Sequence, residues 1–166
     1  MGGSGCGARI GGRKWTTEES LTLPIEAIRE WVRSGKAGTL SWAAKNKDEC
    51  SVGFSVQWSQ NTPLIIFEYI LASRKPIRLP VSLLTSQTAF GGVRLWFQCP
   101  LMVNGSACNR RVGRLYLPPG ARFFGCRACH LLSYQSSQTA HRDERMFAQF
   151  GLPADMARVY SENMKN

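Results

Sequence analysis

The chain has 166 residues, of which 43% are hydrophobic and 10% aromatic. This is enough for one domain, or for a small domain with an appended module, and it excludes both a large multidomain enzyme and a disordered chain. Lys and Arg number 21 against 11 Asp and Glu, so the formal net charge is +10. No apolar run approaches the roughly 18 residues of a membrane-spanning helix, and we therefore expect no membrane partner.

Residues 1–17 are rich in glycine and carry the basic side chains Arg9, Arg13 and Lys14. We predict a flexible basic arm here, because glycine-rich segments have little backbone preference. The segment lacks the apolar stretch of a secretory signal, so we expect a cytoplasmic protein. In that reducing compartment, the six cysteines favour a metal site over disulfide bonds.

Residues 18–88 are predicted to form the main domain, which begins with a helix over residues 22–35. Pro24 suits the first position of a helix and Gly35 its C-terminal stop, and four apolar residues between them recur at helical spacing. Four strands follow, at 39–42, 51–58, 64–71 and 77–84. Their alternating apolar residues predict an antiparallel meander that carries the core, and Pro80 indicates a sheet edge.

Basic residues dominate the second half of the chain. The 74 residues between Glu68 and Asp143 contain no carboxylate, and nine of their ten basic side chains are arginine. The ten are Arg74, Lys75, Arg78, Arg94, Arg110, Arg111, Arg114, Arg122, Arg127 and Arg142. The planar guanidinium group suits phosphate oxygens and base edges, so this distribution predicts a surface that binds a polyanion.

Four cysteines, Cys99, Cys108, Cys126 and Cys129, have the spacing C-x8-C-x17-C-x2-C. Tetrahedral zinc takes four such thiolates, commonly from two short loops called knuckles. The second pair has the usual C-x2-C spacing, whereas the first is longer than usual. Asn104-Gly105 inside the first pair is a strong tight-turn signal that can bring its two sulfurs together. We therefore predict a structural Zn²⁺ bound by these four cysteines.

Residues 111–117 and 122–124, joined by a proline-glycine turn, are expected to form a β-hairpin between the two knuckles. A hairpin that links two knuckles resembles a zinc ribbon, which we place at residues 89–136. The motif C-x-x-C-H at 126–130 also fits c-type haem attachment, and disulfides or a redox-active cysteine pair are further alternatives. His130 is expected to lie beside the metal or to contact phosphate, with replacement of one cysteine ligand as the alternative.

A closer resemblance rests on two motifs, W-F-x-C-P at Trp96–Pro100 and C-R-x-C-x-x-L-x-Y at Cys126–Tyr134, which follow a glycine-rich start. Over residues 89–138 the chain resembles a group of small uncharacterised bacterial proteins that share these motifs. The resemblance implies a structural zinc ion held by four cysteines and no established activity.

The expected fold class is α+β: an N-terminal helix and an antiparallel meander, then a zinc ribbon, then a short helical tail over residues 137–166. In the ribbon, we expect Trp96, Phe97 and Phe124 to pack against the meander. Tyr116 and Phe123 are expected on an open face, where an aromatic ring can stack on an unpaired base. The residues predicted to bind nucleic acid are Arg9, Arg13, Lys14, Arg94, Arg110, Arg111, Arg114, Tyr116, Arg122, Phe123, Arg127 and His130.

The leading hypothesis is a non-enzymatic protein that binds DNA or RNA, as an accessory or regulatory factor of a bacterial, phage or mobile-element system. The alternative is a protein-interaction module, or a small subunit of a nucleoprotein complex in defence or counter-defence. A third is a zinc-linked nuclease that uses His130, with Asn109 or Asp143 beside it. Nucleases that bind Mg²⁺ need carboxylates, and the basic half has none before Asp143. We therefore expect no catalytic residues.

Overall fold

Ten strands build the part of the chain that the computed structural model describes, residues 14–42, 50–59, 62–71 and 75–139. They are β1 (Leu21–Pro24), β2 (Gly38–Trp42), β3 (Cys50–Ser59), β4 (Thr62–Ile70), β5 (Pro76–Gln87), β6 (Val93–Gln98), β7 (Met102–Val103), β8 (Ser106–Ala107), β9 (Arg111–Val112) and β10 (Arg114–Leu117). Strands account for 52% of the described structure and helices for 13%. The protein is therefore mainly β, and the predicted α+β class is wrong.

Six of these strands form one antiparallel sheet in the order β2-β3-β4-β5-β6-β9, which curls into a half-barrel. Because neighbouring residues of a strand point to opposite faces, its cross-strand rows alternate between core and surface. The row Phe54, Phe67 and Leu79 is buried. The next row contains Glu68 and Arg78, which form an exposed ion pair at 3.5 Å.

The predicted helix over residues 22–35 is much shorter in the structure. Its first residues form β1, a 3-10 turn spans Ile25–Ile28, and the α-helix α1 covers only Arg29–Ser34. β1 pairs with β10, so these residues supply hydrogen-bond partners to an edge strand instead of forming helical turns. Gly35 ends α1 in the left-handed conformation, at φ 66°, as predicted for its C-terminal stop.

Aromatic rings connect the sheet to the cysteine-containing segment. Phe67 of β4 lies 6.1 Å from Phe97 and 6.4 Å from Phe124, measured between ring centroids, and Tyr69 contacts Phe124 at 5.3 Å. Phe67, Phe97 and Phe124 are all fully buried. The expected packing of Phe97 and Phe124 is therefore confirmed, and one hydrophobic core serves both the sheet and the cysteine-containing segment, residues 99–129.

Hydrogen bonds join the two ends of the described chain. Ser133 exchanges backbone hydrogen bonds with Trp15 and Thr17, and the Gln138 side-chain amide donates to the Lys14 carbonyl at 2.6 Å. Residues 135–139 are helical. Most of the arm predicted over residues 1–17, and most of the tail predicted over residues 137–166, lie outside the described residues.

The turn between β5 and β6 contains the predicted boundary at residues 88 and 89, and the two strands pair across it. Among the described residues, no helix is both long enough and apolar enough to cross a membrane.

Candidate metal centre

The first pair of cysteines flanks a small β-hairpin that follows β6. β7 and β8 are joined by Asn104 and Gly105, whose φ angles of 52° and 79° are both positive. Two-residue hairpins of this type require that conformation, and Asn-Gly adopts it readily. The Cys108 amide donates to the Leu101 carbonyl at 2.8 Å, which closes the loop beside the hairpin. The turn predicted at Asn104-Gly105 is confirmed, and it returns the chain towards Cys99.

The second pair of cysteines forms a tight loop closed by bonds to sulfur. The backbone N–H of Cys129 donates to Cys126 Sγ at 3.4 Å, and the N–H of Cys126 donates to Cys99 Sγ at 3.3 Å. Such N–H donors favour negatively charged sulfur, because they partly neutralise a thiolate. The second pair thus contacts the first through its backbone as well as through its side chains.

All four sulfurs meet in one cluster, within 4.8 Å of one another. Three of the separations are 3.4 Å between Cys126 and Cys129, 3.8 Å between Cys99 and Cys129, and 3.8 Å between Cys108 and Cys126. Tetrahedral coordination with metal–sulfur bonds of about 2.3 Å requires sulfur atoms about 3.8 Å apart. The four cysteines are free thiols and lie close enough to bind a metal ion.

The thiols of this cluster differ in acidity. Hydrogen bonding from the Cys99 thiol lowers the pKa of Cys126 to about 4. Burial raises the pKa of Cys129 to about 12, and hydrogen bonding to Cys126, together with burial, raises the pKa of Cys99. Hydrogen bonding thus favours the thiolate form at Cys126, and coordination by all four sulfurs requires the thiols to lose their protons.

His130 packs beside the cluster without joining it. Among the described residues, the group of closely spaced ligand atoms consists of the four cysteines. The His130 Nε2 atom is buried and has no hydrogen-bond partner within the described parts of the chain. Burial lowers the pKa of His130. The buried Nε2 atom is therefore not available for the phosphate contact predicted for this residue.

The hairpin predicted between the two cysteine pairs is only partly present. β9 pairs with β6, β10 pairs with β1, and the predicted second arm at 122–124 is not a strand. A single bridge joins Tyr116 to Gly125 through hydrogen bonds of 2.8 and 3.0 Å. Pro118 and Pro119 at the turn have no N–H to donate to a neighbouring strand, so the residues next to the turn cannot form a ladder. Pairing is therefore limited to Tyr116 and Gly125.

Two arginines flank one tryptophan on the outer face of the sheet. The Arg94 guanidinium carbon lies 4.1 Å from the centroid of the Trp96 ring, and that of Arg111 lies 5.1 Å away. The indole N–H donates to the Ser86 hydroxyl at 2.8 Å, which fixes the ring. Arg94 precedes Trp96 by two residues on β6, while Arg111 lies opposite Gln98, two residues after it. We call Arg94, Trp96 and Arg111 the arginine–tryptophan cluster.

Both arginines are among the residues predicted to bind nucleic acid, whereas Trp96 is predicted to pack against the meander. The i, i+2 spacing of Arg94 and Trp96 on a strand places them on one face and could have revealed that pair. The position of Arg111 depends on the β6–β9 register, which no local signal gives.

Other predicted arginines each lie over one aromatic ring. Arg122 lies over Phe123 at 5.1 Å, and Arg127 over the half-exposed ring of Tyr134 at 4.9 Å. Tyr116 is 9% exposed, and burial raises its pKa. It is therefore much less open than predicted, whereas Phe123 is 37% exposed.

The remaining predicted nucleic-acid contacts fall in two groups. Lys14, Arg110 and Arg114 are exposed side chains. Arg9 and Arg13 lie outside the described residues, as does Asp143 of the nuclease hypothesis.

Comparisons of the chain with protein-family models, with curated proteins and with solved structures give no match. The resemblance over residues 89–138 therefore stays a prediction.

Proposed function

We propose that this chain is a zinc-containing β-protein that binds nucleic acid without catalysis, and that the arginine–tryptophan cluster is its main phosphate contact. The observation that carries the proposal is a pair of guanidinium groups held against one indole ring. Residues 75–139 contain eight basic side chains and no acidic one.

Zinc is the metal that best fits the four sulfurs. Two of the sulfur separations are 3.8 Å and a third is 3.4 Å, and four cysteine ligands at such distances suit tetrahedral zinc, which has no redox chemistry of its own. Four protein ligands leave no open position for substrate or water, so this zinc would stabilise the fold. It would hold the β7–β8 hairpin against residues 126–129, next to β9 and Arg111.

The charges of the cluster favour an anionic partner. The two distances to the Trp96 ring put the guanidinium carbons at most about 9 Å apart, inside the ~10 Å Debye length of 0.1 M salt. Among the described residues, Arg78 pairs with Glu68, and no carboxylate lies within ion-pair distance of Arg94 or Arg111. A phosphate group would relieve the repulsion, and arginine binds phosphate with two parallel hydrogen bonds. Bracing by Trp96 reduces the side-chain entropy that such a contact costs.

The other two hypotheses receive less support. A protein-interaction surface on the meander would need an apolar outer face, but the exposed positions there are mixed. Ser51, Gln57, Glu68 and Arg78 are polar, whereas Pro80 and the 63% exposed Ile70 are apolar. A nuclease centred on His130 would need an accessible imidazole, and the Nε2 atom of this ring is buried.

The test is fluorescence anisotropy of the zinc-loaded protein with double-stranded DNA, single-stranded DNA and RNA at two or more salt concentrations. We expect binding that weakens steeply with salt, because each phosphate contact releases counterions. Replacing Arg94 and Arg111 with alanine should lower the salt slope by roughly 1.4 on a single strand, at about 0.7 per contact.

The matched control is the double variant Arg29→Ala and Lys36→Ala, which removes the same charge from a segment that also carries Glu26 and Glu30. It should keep the slope of the original protein. Absence of binding at low salt by a folded, zinc-loaded sample would refute the nucleic-acid proposal. Metal analysis that finds no zinc, or less than one ion per chain after reconstitution, would refute the zinc assignment.

A further inference from the structure

Phe90 is fully exposed to solvent, at the tip of the β5–β6 hairpin. A phenylalanine side chain in water forgoes roughly 1.5–3 kcal/mol of burial free energy, so a complete lack of cover is unusual for this residue. Val93, at the start of β6, is also 57% exposed. The hairpin therefore carries an apolar end, and Phe90 is the most exposed of the large hydrophobic side chains in the described structure.

The turn that presents Phe90 is held by its own hydrogen bonds. The Thr88 amide donates to the Gly92 carbonyl at 2.8 Å, and the Gly91 amide donates to the Thr88 carbonyl at 3.0 Å. The Thr88 hydroxyl accepts from the Gly92 amide at 3.0 Å and donates to the Gly92 carbonyl at 3.1 Å. Gly91 adopts a φ of 77°, which an L side chain rarely takes. The turn thus presents the Phe90 ring to solvent. Moving this ring into the core would break the hydrogen bonds between Thr88 and residues 91 and 92.

The arginine–tryptophan cluster lies on the same hairpin. Arg94 follows Phe90 by four residues, so their Cα atoms are at most about 14 Å apart, the length of four extended residues. Along one stacked nucleic-acid strand, at about 3.4 Å per phosphate, that distance corresponds to roughly four nucleotides. One strand can therefore contact the arginines through phosphates and the turn through a base.

We propose that Phe90 is a base-stacking residue, and that the preferred ligand is a nucleic-acid strand with unpaired bases. This inference rests on the proposed function and deepens it, because it names the class of nucleic acid and the residue that selects it. An exposed aromatic ring stacks on any unpaired base, whereas bases in an intact duplex offer their faces only to one another. The cluster supplies the charge, and Phe90 supplies the preference for single strands.

The experiment compares Phe90→Ala, Phe90→Trp and the control Met102→Ala, which truncates a 69% exposed side chain on the β7–β8 hairpin. Anisotropy is measured with a single-stranded oligonucleotide, with its duplex, and over a salt series. Phe90→Ala should weaken single-strand binding roughly 5- to 150-fold, the range for one stacked base, with little effect on duplex binding. Its salt slope should not change, because stacking releases no counterions.

Phe90→Trp should restore or increase the affinity, and Met102→Ala should leave it unchanged. Unchanged single-strand affinity in Phe90→Ala, or equal losses on single strand and duplex, would overturn the inference while leaving nucleic-acid binding intact. If the original protein binds neither probe, the proposed function fails as well. Vesicles of anionic lipid are measured in parallel, and a Phe90-dependent loss on vesicles alone would assign the turn to a membrane surface and overturn the inference.

Discussion

Tyr69 links the sheet to the cysteine-containing segment through a single hydroxyl group. Its O–H donates to the Arg122 carbonyl at 3.0 Å, and its ring packs edge-on against Phe124. Tyr69→Phe keeps the ring and removes the hydrogen bond, so we expect a loss of about 1 kcal/mol in the free energy of unfolding. Urea unfolding of the zinc-loaded protein at pH 8 measures it. An equal stability of the two proteins would show that the hydrogen bond contributes nothing.

The same hydroxyl predicts a pH dependence. Burial raises the pKa of Tyr69 to about 12, above the value near 10 of an unfolded tyrosine. A raised pKa means that the folded state holds the Tyr69 proton more tightly than the unfolded state does. The contribution of protonated Tyr69 to the free energy of unfolding is therefore complete below pH 10 and declines as the pH rises towards 12. The stability difference between the original protein and Tyr69→Phe should therefore shrink over that interval. A difference that grows with pH would contradict this assignment.

Gly125 is packed closely against the Leu101 and His130 side chains. A Cβ atom at this position would lie 2.6 Å from Leu101 Cγ and 3.0 Å from His130 Nε2, directly beside Cys126. Overpacking of this kind costs about 1–3 kcal/mol, so Gly125→Ala should weaken metal binding roughly 5- to 150-fold. Competition with a chromophoric chelator measures the affinity. Gly113→Ala is the control, because its added Cβ would meet Trp96 at an ordinary 3.9 Å.

Residue chemistry was the most predictable level of the site. The four cysteines were identified from spacing alone, and their sulfurs do converge. The arginines of the cluster were identified from charge, but the bracing of Trp96 by Ser86 was not, because that contact depends on the β5–β6 register. The exposure of Phe90 was also missed, since the sequence around it predicts only a glycine-rich boundary.

At the level of elements, the prediction succeeded where a strand's own sequence decides its structure. The strands predicted at 39–42, 51–58 and 77–84 lie within β2, β3 and β5, because their apolar residues alternate. Pro80 lies in a part of β5 that pairs with β4 alone, since β6 pairs only with residues from Leu83 onwards, so this stretch is an edge as predicted. The prediction of a helix over 22–35 is wrong because the first residues of this segment pair with β10, which is more than 90 residues away in sequence.

The β7–β8 hairpin gives a prediction at this level. Gly105 has a φ of 79°, and its place between Asn104 and Ser106 sets the return of the chain to Cys108. A left-handed backbone costs an ordinary residue roughly 1–2 kcal/mol, and a β-branched one more, so Gly105→Val should reduce metal affinity about tenfold or more. Ser106→Val is the matched control, because it adds the same side chain at an exposed strand position. Equal affinities in the two variants would show that the turn does not determine the sulfur positions.

For the whole molecule, the predicted α+β class is wrong. The apolar residues of the segment 22–35 have helical spacing, but in so short a segment this spacing does not prevent its first residues from forming a strand. The shared core was partly foreseen, since Phe97 and Phe124 were expected to pack on the meander. The Phe67 ring contacts both Phe97 and Phe124, and no local sequence pattern indicates these two contacts. The sheet and the metal site are therefore coupled through packing that only the full topology reveals.

That coupling makes a prediction for metal removal. Structural zinc sites contribute about 10–16 kcal/mol in small zinc-binding peptides, whereas whole domains are stable by only about 5–15 kcal/mol. Chelation should therefore destabilise the sheet as well as residues 99–129, because the loss of order at Phe97 and Phe124 exposes Phe67 at the centre of β4. Hydrogen exchange should show that amides of β3 and β4 lose protection together with those of β10.

Cys99→Ser, which removes one buried ligand, should reproduce this result in the presence of zinc, whereas Met102→Ala should not. If β3 and β4 keep their protection after chelation while residues 99–129 lose theirs, the two parts fold independently and the shared core does not couple them.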